Sequence, residues 1–393
     1  MSGFKSYGED DFDRVFITDS EIYERFAGNF LWSCGYNISG QLGTNNTTGR
    51  SSPGTTSGGG NNWQQVSVGS ASAAAAAIKT DGTLWTWGNN TSGKLGDNTT
   101  TNRSSPVQTS GAGTTWKQVS VGTNHMAAVK TDGTLWTWGA NASGQLGTND
   151  TTSRSSPLTV SGGGTDWKQV SAGSNSASPM TAAIKTDGTL LTWGGGAYGA
   201  LGSNATTARS SPVTVFGGGT TWKQVSCGFG TTGAVKTDGT LWLCGYNSFG
   251  QLGAGNTTDR SSFVSPSGGG TNWKQVSVSY RFSTAIKTDG TLWTWGRNHV
   301  GQLGTGTTTD RSSPGQTAGG GTDWKFISAD PTIGLNWSAI KTDGSLWTCG
   351  YNAQGQLGTN NTTSRSSPGT TVSNNRYWKT ISSGSRAILG IGD

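Results

Sequence analysis

The stretch Ala77-Ile78-Lys79-Thr80-Asp81-Gly82-Thr83-Leu84-Trp85-Thr86-Trp87-Gly88 reads as two short strands around a tight turn. Asp-Gly accepts the positive φ angles of a hairpin. Beyond the turn, Leu84, Trp85, Thr86 and Trp87 alternate between the two faces of a strand. The same stretch returns at 128–139, 183–194, 234–245, 285–296 and 339–350 with few changes. A period near fifty residues takes precedence over every other feature of the chain.

Four markers set the count. Leu31, Leu84, Leu135, Leu190, Leu241, Leu292 and Leu346 open Leu-Trp-like strands spaced 51–55 residues apart. Trp63, Trp116, Trp167, Trp222, Trp273, Trp324 and Trp378 open Trp-Lys-Gln-Val-like strands. Gly-Gln-Leu-Gly turns run from Gly40 to Gly358, with Lys94 and Ala200 replacing the glutamine twice. Arg-Ser-Ser-Pro closes each unit, and Phe263 alone replaces its proline. There are seven units but only six Lys-Thr-Asp-Gly hairpins. The seventh hairpin is divided between the termini, with Asn29–Gly35 as one strand and Arg386–Ile391 as the other. An open stack has no need of complementary ends, whereas a ring closes by pairing them and so removes its exposed edges. The expectation is an all-β fold: a seven-bladed β-propeller of four-stranded blades over 29–393, preceded by an arm at 1–28.

These markers resemble the regulator of chromosome condensation repeat family. The residues that carry the likeness are the twelve-residue stretch above, Asn-x-x-Gly-Gln-Leu-Gly, the proline, and Val-Ser-x-Gly. His125 stands where that family often has a histidine. The resemblance covers roughly 29–393 and implies a seven-bladed propeller. Its members include nucleotide exchange factors, ubiquitin-ligase modules and proteins of unassigned role.

The 393 residues include 65 glycines and 18 tryptophans, with 12% charged side chains. Such a chain builds its core from indoles and small residues, and 17 of the 18 tryptophans fall on repeat positions. Each buries a large apolar area between sheets, about 150–250 Å². Cys34, Cys244 and Cys349 each replace the second tryptophan of a Leu-Trp-Thr-Trp strand, and the four cysteines are expected as buried free thiols. No apolar run is long enough to span a membrane, and the N-terminus carries no signal sequence, so no membrane insertion is expected.

Chemistry needs a constellation that breaks the repeat. The chain has two histidines, His125 and His299, in different units, and its only glutamates are Glu9, Glu21 and Glu24. No phosphate-binding loop or nucleophile–base pair stands out. The expectation is a non-enzymatic protein without metal or cofactor. The repeated lysines (Lys79 to Lys341) and the Arg-Ser-Ser arginines read as structural pairing rather than a nucleic-acid platform. The Asn-x-Thr sequences, such as Asn98-Thr99-Thr100, read as turn chemistry.

Recognition is expected in two places. Residues 1–28 mix acids with nine large apolar side chains, and residues 1–30 carry a net charge of −4 in a chain of +6. Phe12, Phe16, Ile22, Tyr23 and Phe26 are the expected partner contacts. On the ring, the segments between Val-Ser and the Ala-Ile-Lys strand diverge. The fifth carries Tyr280-Arg281-Phe282 and the sixth carries Asp330-Pro331 and Trp337, giving Tyr280, Arg281, Phe282 and Trp337 as expected ligand contacts. A second variable place, before Gly-Gln-Leu-Gly, holds Tyr36, Tyr198, Tyr246, Phe249, Arg297, His299 and Tyr351.

An acidic aromatic arm on a Thr/Asn/Gly-rich ring looks like virion-associated proteins of marine tailed phages. That likeness implies a structural or adhesive virion protein made in a bacterial cytoplasm. Its arm would dock to a capsid, neck or tail protein, and its ring would face host-surface polysaccharide or protein. The alternative is a cellular protein-interaction scaffold, with a guanine nucleotide exchange factor behind it.

Overall fold

The computed structural model describes residues 28–69, 74–111, 113–173, 177–332, 334–372, 377–384 and 386–393. The five expected arm contacts lie outside the described residues. Seven four-stranded antiparallel sheets follow one another around a ring. Blade 1 shows the pattern. Trp63–Val68 is innermost, followed outward by Ala74–Lys79, Leu84–Gly88 and Arg103–Gln108. Blades 2 to 6 start at Trp116, Trp167, Trp222, Trp273 and Trp324.

Blade 7 is the divided one. Its inner strands, Trp378–Ser383 and Ala387–Gly392, come from the C-terminus, and its outer strands, Phe30–Gly35 and Arg50–Thr55, from the N-terminus. Phe30 pairs with Gly392 and the register runs unbroken to Gly35 with Ala387. The expected closure is therefore present, with the expected strands and direction.

Neighbouring blades are tied by repeated side chains. The innermost strand of each sheet would leave backbone N–H groups unpaired, and a buried unpaired donor costs about 1–3 kcal/mol. Seven serines meet this need, one per blade. The hydroxyl oxygens of Ser67, Ser120, Ser171, Ser226, Ser277, Ser328 and Ser382 accept from the next blade's backbone at 2.9–3.1 Å. Five junctions add a glutamine clamp. Gln65 Nε2 donates to Val119 O at 2.9 Å while its Oε1 accepts from Val119 N at 2.8 Å. Gln118, Gln169, Gln224 and Gln275 repeat this. Blades 6 and 7 carry Phe326 and Thr380 there instead.

The Gly-Gln-Leu-Gly turn is a third tie. Its backbone carbonyl accepts the indole N–H of the next blade, as in Trp87 to Gln41 at 2.9 Å and Trp138 to Lys94 at 2.9 Å. Gly40 has φ +79°, and a Cβ on it would collide with Ser104 Cα in that blade, so the turn needs glycine. The following turn places Asn98 at φ +60° and passes its backbone N–H to Ser155 O. Asn45, Asn149, Asn204 and Asn360 take the same positive φ. The expected turn role of these asparagines is what the backbone shows.

The repeated lysines and several of the repeated arginines have their contacts within the blades. Lys130 Nζ lies 4.8 Å from the Trp116 ring centroid and 4.3 Å from that of Trp136, and all six hairpin lysines sit over tryptophan in this way. The hairpin aspartates bond their own turns instead, as Asp81 Oδ1 accepts from Thr83 N and Oγ1 at 2.9 and 2.6 Å. Arg103 and Arg154 pair with Asp97 and Asp150 at 2.9 Å. The four cysteines are free and buried. Burial pushes the Cys34 and Cys227 thiols up to about 12, which keeps them unreactive.

Candidate partner-binding site

Strand direction puts both variable segments on one side of the ring. Each innermost strand runs outward to its divergent loop, and each Leu-Trp strand runs the same way to the loop before Gly-Gln-Leu-Gly. The hairpins and the glycine-rich linkers occupy the opposite side. Loops on a rigid scaffold are where recognition residues collect.

On that face, blades 3, 4 and 5 bring together Tyr198, Phe229, Tyr246, Phe249 and Tyr280. Phe229 and Tyr280 have ring centroids 4.2 Å apart, Tyr198 and Tyr246 4.8 Å, and Tyr246 and Tyr280 are stacked at 5.7 Å. Phe249 meets Tyr246 and Tyr280 edge-on at 6.1 and 6.2 Å. Two guanidiniums flank Phe249, Arg297 at 4.7 Å and Arg281 at 5.9 Å from its centroid, and Arg281 also lies 5.1 Å from that of Tyr280. Neither arginine forms an ion pair among the described residues. Burial and the neighbouring Tyr246 raise the Tyr280 pKa, so its phenol stays protonated. Burial, with Arg297 and Arg281 nearby, lowers that of His299, which is neutral at pH 7.

Packed rings hold the guanidiniums without neutralising them. The surface is amphipathic and carries two cations, and Tyr and Arg are residues in which protein-binding hot spots are enriched. Tyr198, at 44% exposure, is its most open ring.

Half of the expected ring contacts belong here. Tyr280 and Arg281 are half-buried within the patch. Phe282 and Trp337 are fully buried and present nothing to a ligand. Phe282 opens the second strand of blade 5 with its side chain in the core, and Trp337 donates its indole N–H to Gln302 O at 2.8 Å. The sixth divergent segment is organised internally. Asp330, buried and raised in pKa by that burial, accepts from Thr332 N and Oγ1 and from Gly334 N at 2.7–3.1 Å. The patch therefore extends from blade 5 back to blade 3, not on to blade 6. Phe229 is the member not expected as a contact from the sequence, although it opens the fourth divergent segment directly after Gly228.

His125 is structural as well. It is fully buried, its Nε2 lies 2.9 Å from Thr181 Oγ1 in blade 3, and burial lowers its pKa to about 4. Among the described residues no three His, Cys, Asp or Glu side chains gather as metal ligands, and no helix is long and apolar enough to cross a membrane.

Comparison with known proteins agrees with this architecture. The family model described as RCC1-like domain matches residues 30–390. The ultraviolet-B receptor UVR8 of Arabidopsis thaliana is 31% identical over 359 residues, which is 87% of this chain and 77% of the receptor. The human E3 ubiquitin-protein ligase HERC2 is 30% identical over 255 residues, 64% of this chain but 5% of the ligase. Among solved structures, human WBSCR16 superposes with a TM-score of 0.79 at 19% identity, over 93% of this chain and 99% of that one. Prp20p of Saccharomyces cerevisiae, described together with its binding properties to Gsp1p and histones, gives 0.78 at 17% identity over 96% and 95%. At such identities these two structures speak for the fold alone.

Proposed function

Since the chain belongs to the RCC1-like domain family, we propose that it is a non-catalytic protein-interaction scaffold. It binds its partner through the aromatic–arginine patch of blades 3 to 5. One observation carries this reading. Five rings and two arginines without a carboxylate partner, all at positions where the repeat diverges, meet on one face. Side chains that hold the blades recur in most units, whereas this combination of rings and arginines is found in blades 3 to 5.

The relatives support the scaffold over the virion protein that the likeness to phage proteins implied. They are a plant receptor and a human ligase, and Prp20p is described as binding the proteins Gsp1p and histones. The ligase's activity does not transfer, because the match spans 5% of it. A virion location for the ring, with Phe12, Phe16, Ile22, Tyr23 and Phe26 docking to a capsid, neck or tail protein, has its support in the sequence likeness. A chain starting at Gly28 tests it. The arm reading requires that this ring folds but no longer joins the assembly. Normal incorporation contradicts it.

A photo-reactive phenylalanine analogue at position 249, compared with one at position 115 on the opposite side, tests the scaffold reading. The expected result is one dominant cross-linked protein from position 249 alone. Equal labelling from both sides contradicts the assignment of the face.

A further inference from the structure

The blades themselves supply an internal comparison at the other side of the ring. In blade 3, Lys185 Nζ pairs with Asp166 Oδ2 at 3.0 Å, and in blade 6 Lys341 pairs with Asp323 at 3.2 Å. Each aspartate is the residue just before the blade's first tryptophan. In blade 2 that position is Thr115, and Lys130 has no carboxylate there. Its ammonium is still fixed over two indoles, 4.8 Å from the Trp116 centroid and 4.3 Å from that of Trp136.

The same lysine lines a groove of about 320 Å³ with Trp116, Trp136, Pro157, Asn98, Ser110 and Ser156. Among the described residues the indole Nε1 of Trp116, like those of Trp63, Trp222 and Trp378, has no hydrogen-bond partner, whereas those of Trp167, Trp273 and Trp324 donate to glycine carbonyls of their linkers at 3.3–3.4 Å. No acidic side chain is among the residues lining the groove. Its volume lies at the small end of ligand sites, which suits a single ring rather than a polymer segment.

We propose that this groove binds a small carboxylate carrying one six-membered ring. The carboxylate takes the place at Lys130 that Asp166 and Asp323 occupy in blades 3 and 6. The ring lies along the Trp136 and Pro157 wall, and Asn98, Ser110 and Ser156 hydrogen-bond its polar edge. Two small-molecule sources share this chemistry, a hexuronate and an aromatic acid. The site is separate from the patch of blades 3 to 5 and does not depend on the scaffold reading.

The test is titration of the full chain with methyl glucuronide and with benzoate, following the indole N–H resonances of Trp116 and Trp136. Methyl glucoside and benzamide are the uncharged controls. The expected result is a saturable shift with at least one of the two acids and none with its control, the responding acid naming the source. Thr115→Asp supplies the carboxylate that blade 3 already has, so the variant is expected to fold and to lose the shift. Three results overturn the proposal: no saturable shift with either acid, equal shifts with acid and control, or an unchanged response in Thr115→Asp.

Discussion

Trp337 stands directly across from Cys349 on neighbouring strands of blade 6, and the indole occupies the space that the thiol leaves. In blades 1, 2, 3 and 5 a tryptophan at the Cys349 position donates to the preceding blade's turn carbonyl, as Trp295 does to Gln251 O at 2.8 Å. Trp337 makes that bond from the adjacent strand. Trp337→Ala therefore removes both the filling and the inter-blade bond, with an expected cost of about 3–5 kcal/mol in denaturant unfolding. Cys349→Trp in the native background is expected to destabilise by overpacking, and combined with Trp337→Ala to recover part of the loss.

Blade 4 meets the same substitution differently. Cys244 stands in for tryptophan there, and Phe263, which replaces the repeat's proline, packs 5.1 Å from the Trp222 centroid. The two departures from the repeat are one event in space.

The ring's weakest junction is expected between blades 6 and 7. It lacks the glutamine clamp because Phe326 stands there, and it has the Cys34 thiol, 3.6 Å from Gln356 O, in place of an indole. The Ser328 tie to Ser383 N at 2.9 Å remains. Native-state hydrogen exchange should show the Ser383 amide opening at lower free energy than that of Cys227, which has the same serine tie beside an intact clamp. Removing residues 384–393 deletes a central strand of blade 7 and should abolish the cooperative transition.

Two buried bases contribute to the pH response. His125 is neutral in the fold, with its pKa lowered from 6.5 to about 4 by burial. Between those values the unfolded chain binds the extra proton, so stability is full above 6.5 and declines as the pH falls toward 4, by about 3 kcal/mol. His125→Met should flatten that window. Lys94, lowered from 10.5 to about 7 by burial, acts higher: stability should rise as the pH goes from 7 to 10.5. Lys94→Gln restores the residue found in most units, so it should unfold later than the native chain at pH 7 and lose that slope. Denaturant midpoints across pH 4–10.5 check both.

The fold was legible because it is written seven times. Trp63 and its six counterparts, the Asp-Gly turns and the split hairpin at Asn29 and Arg386 fix blade number and closure without any tertiary information. The site was legible only as a set of places. Tyr280 and Arg281 fell in a loop that the repeat leaves free, and so did Phe282, two residues along. Whether a loop-end aromatic points into the core or out depends on strand register at its last residue, which periodicity alone leaves open. Trp337 misled for a related reason. It looked like an off-pattern surface residue because the residue it faces, Cys349, lies on another strand. Phe229 joins the patch through a neighbour fifty residues away.

The central claim is that the face bearing Arg281 and Arg297 holds the partner. Its most direct measurement is calorimetric affinity for the protein captured through position 249, using the native chain, Arg281→Ala/Arg297→Ala, and Lys168→Ala/Lys223→Ala. The last pair removes two exposed charges on the opposite side. Binding should weaken more than about tenfold in the arginine variant and stay unchanged in the lysine variant. Equal affinity across the three proteins, or a loss confined to the lysine variant, would contradict the account.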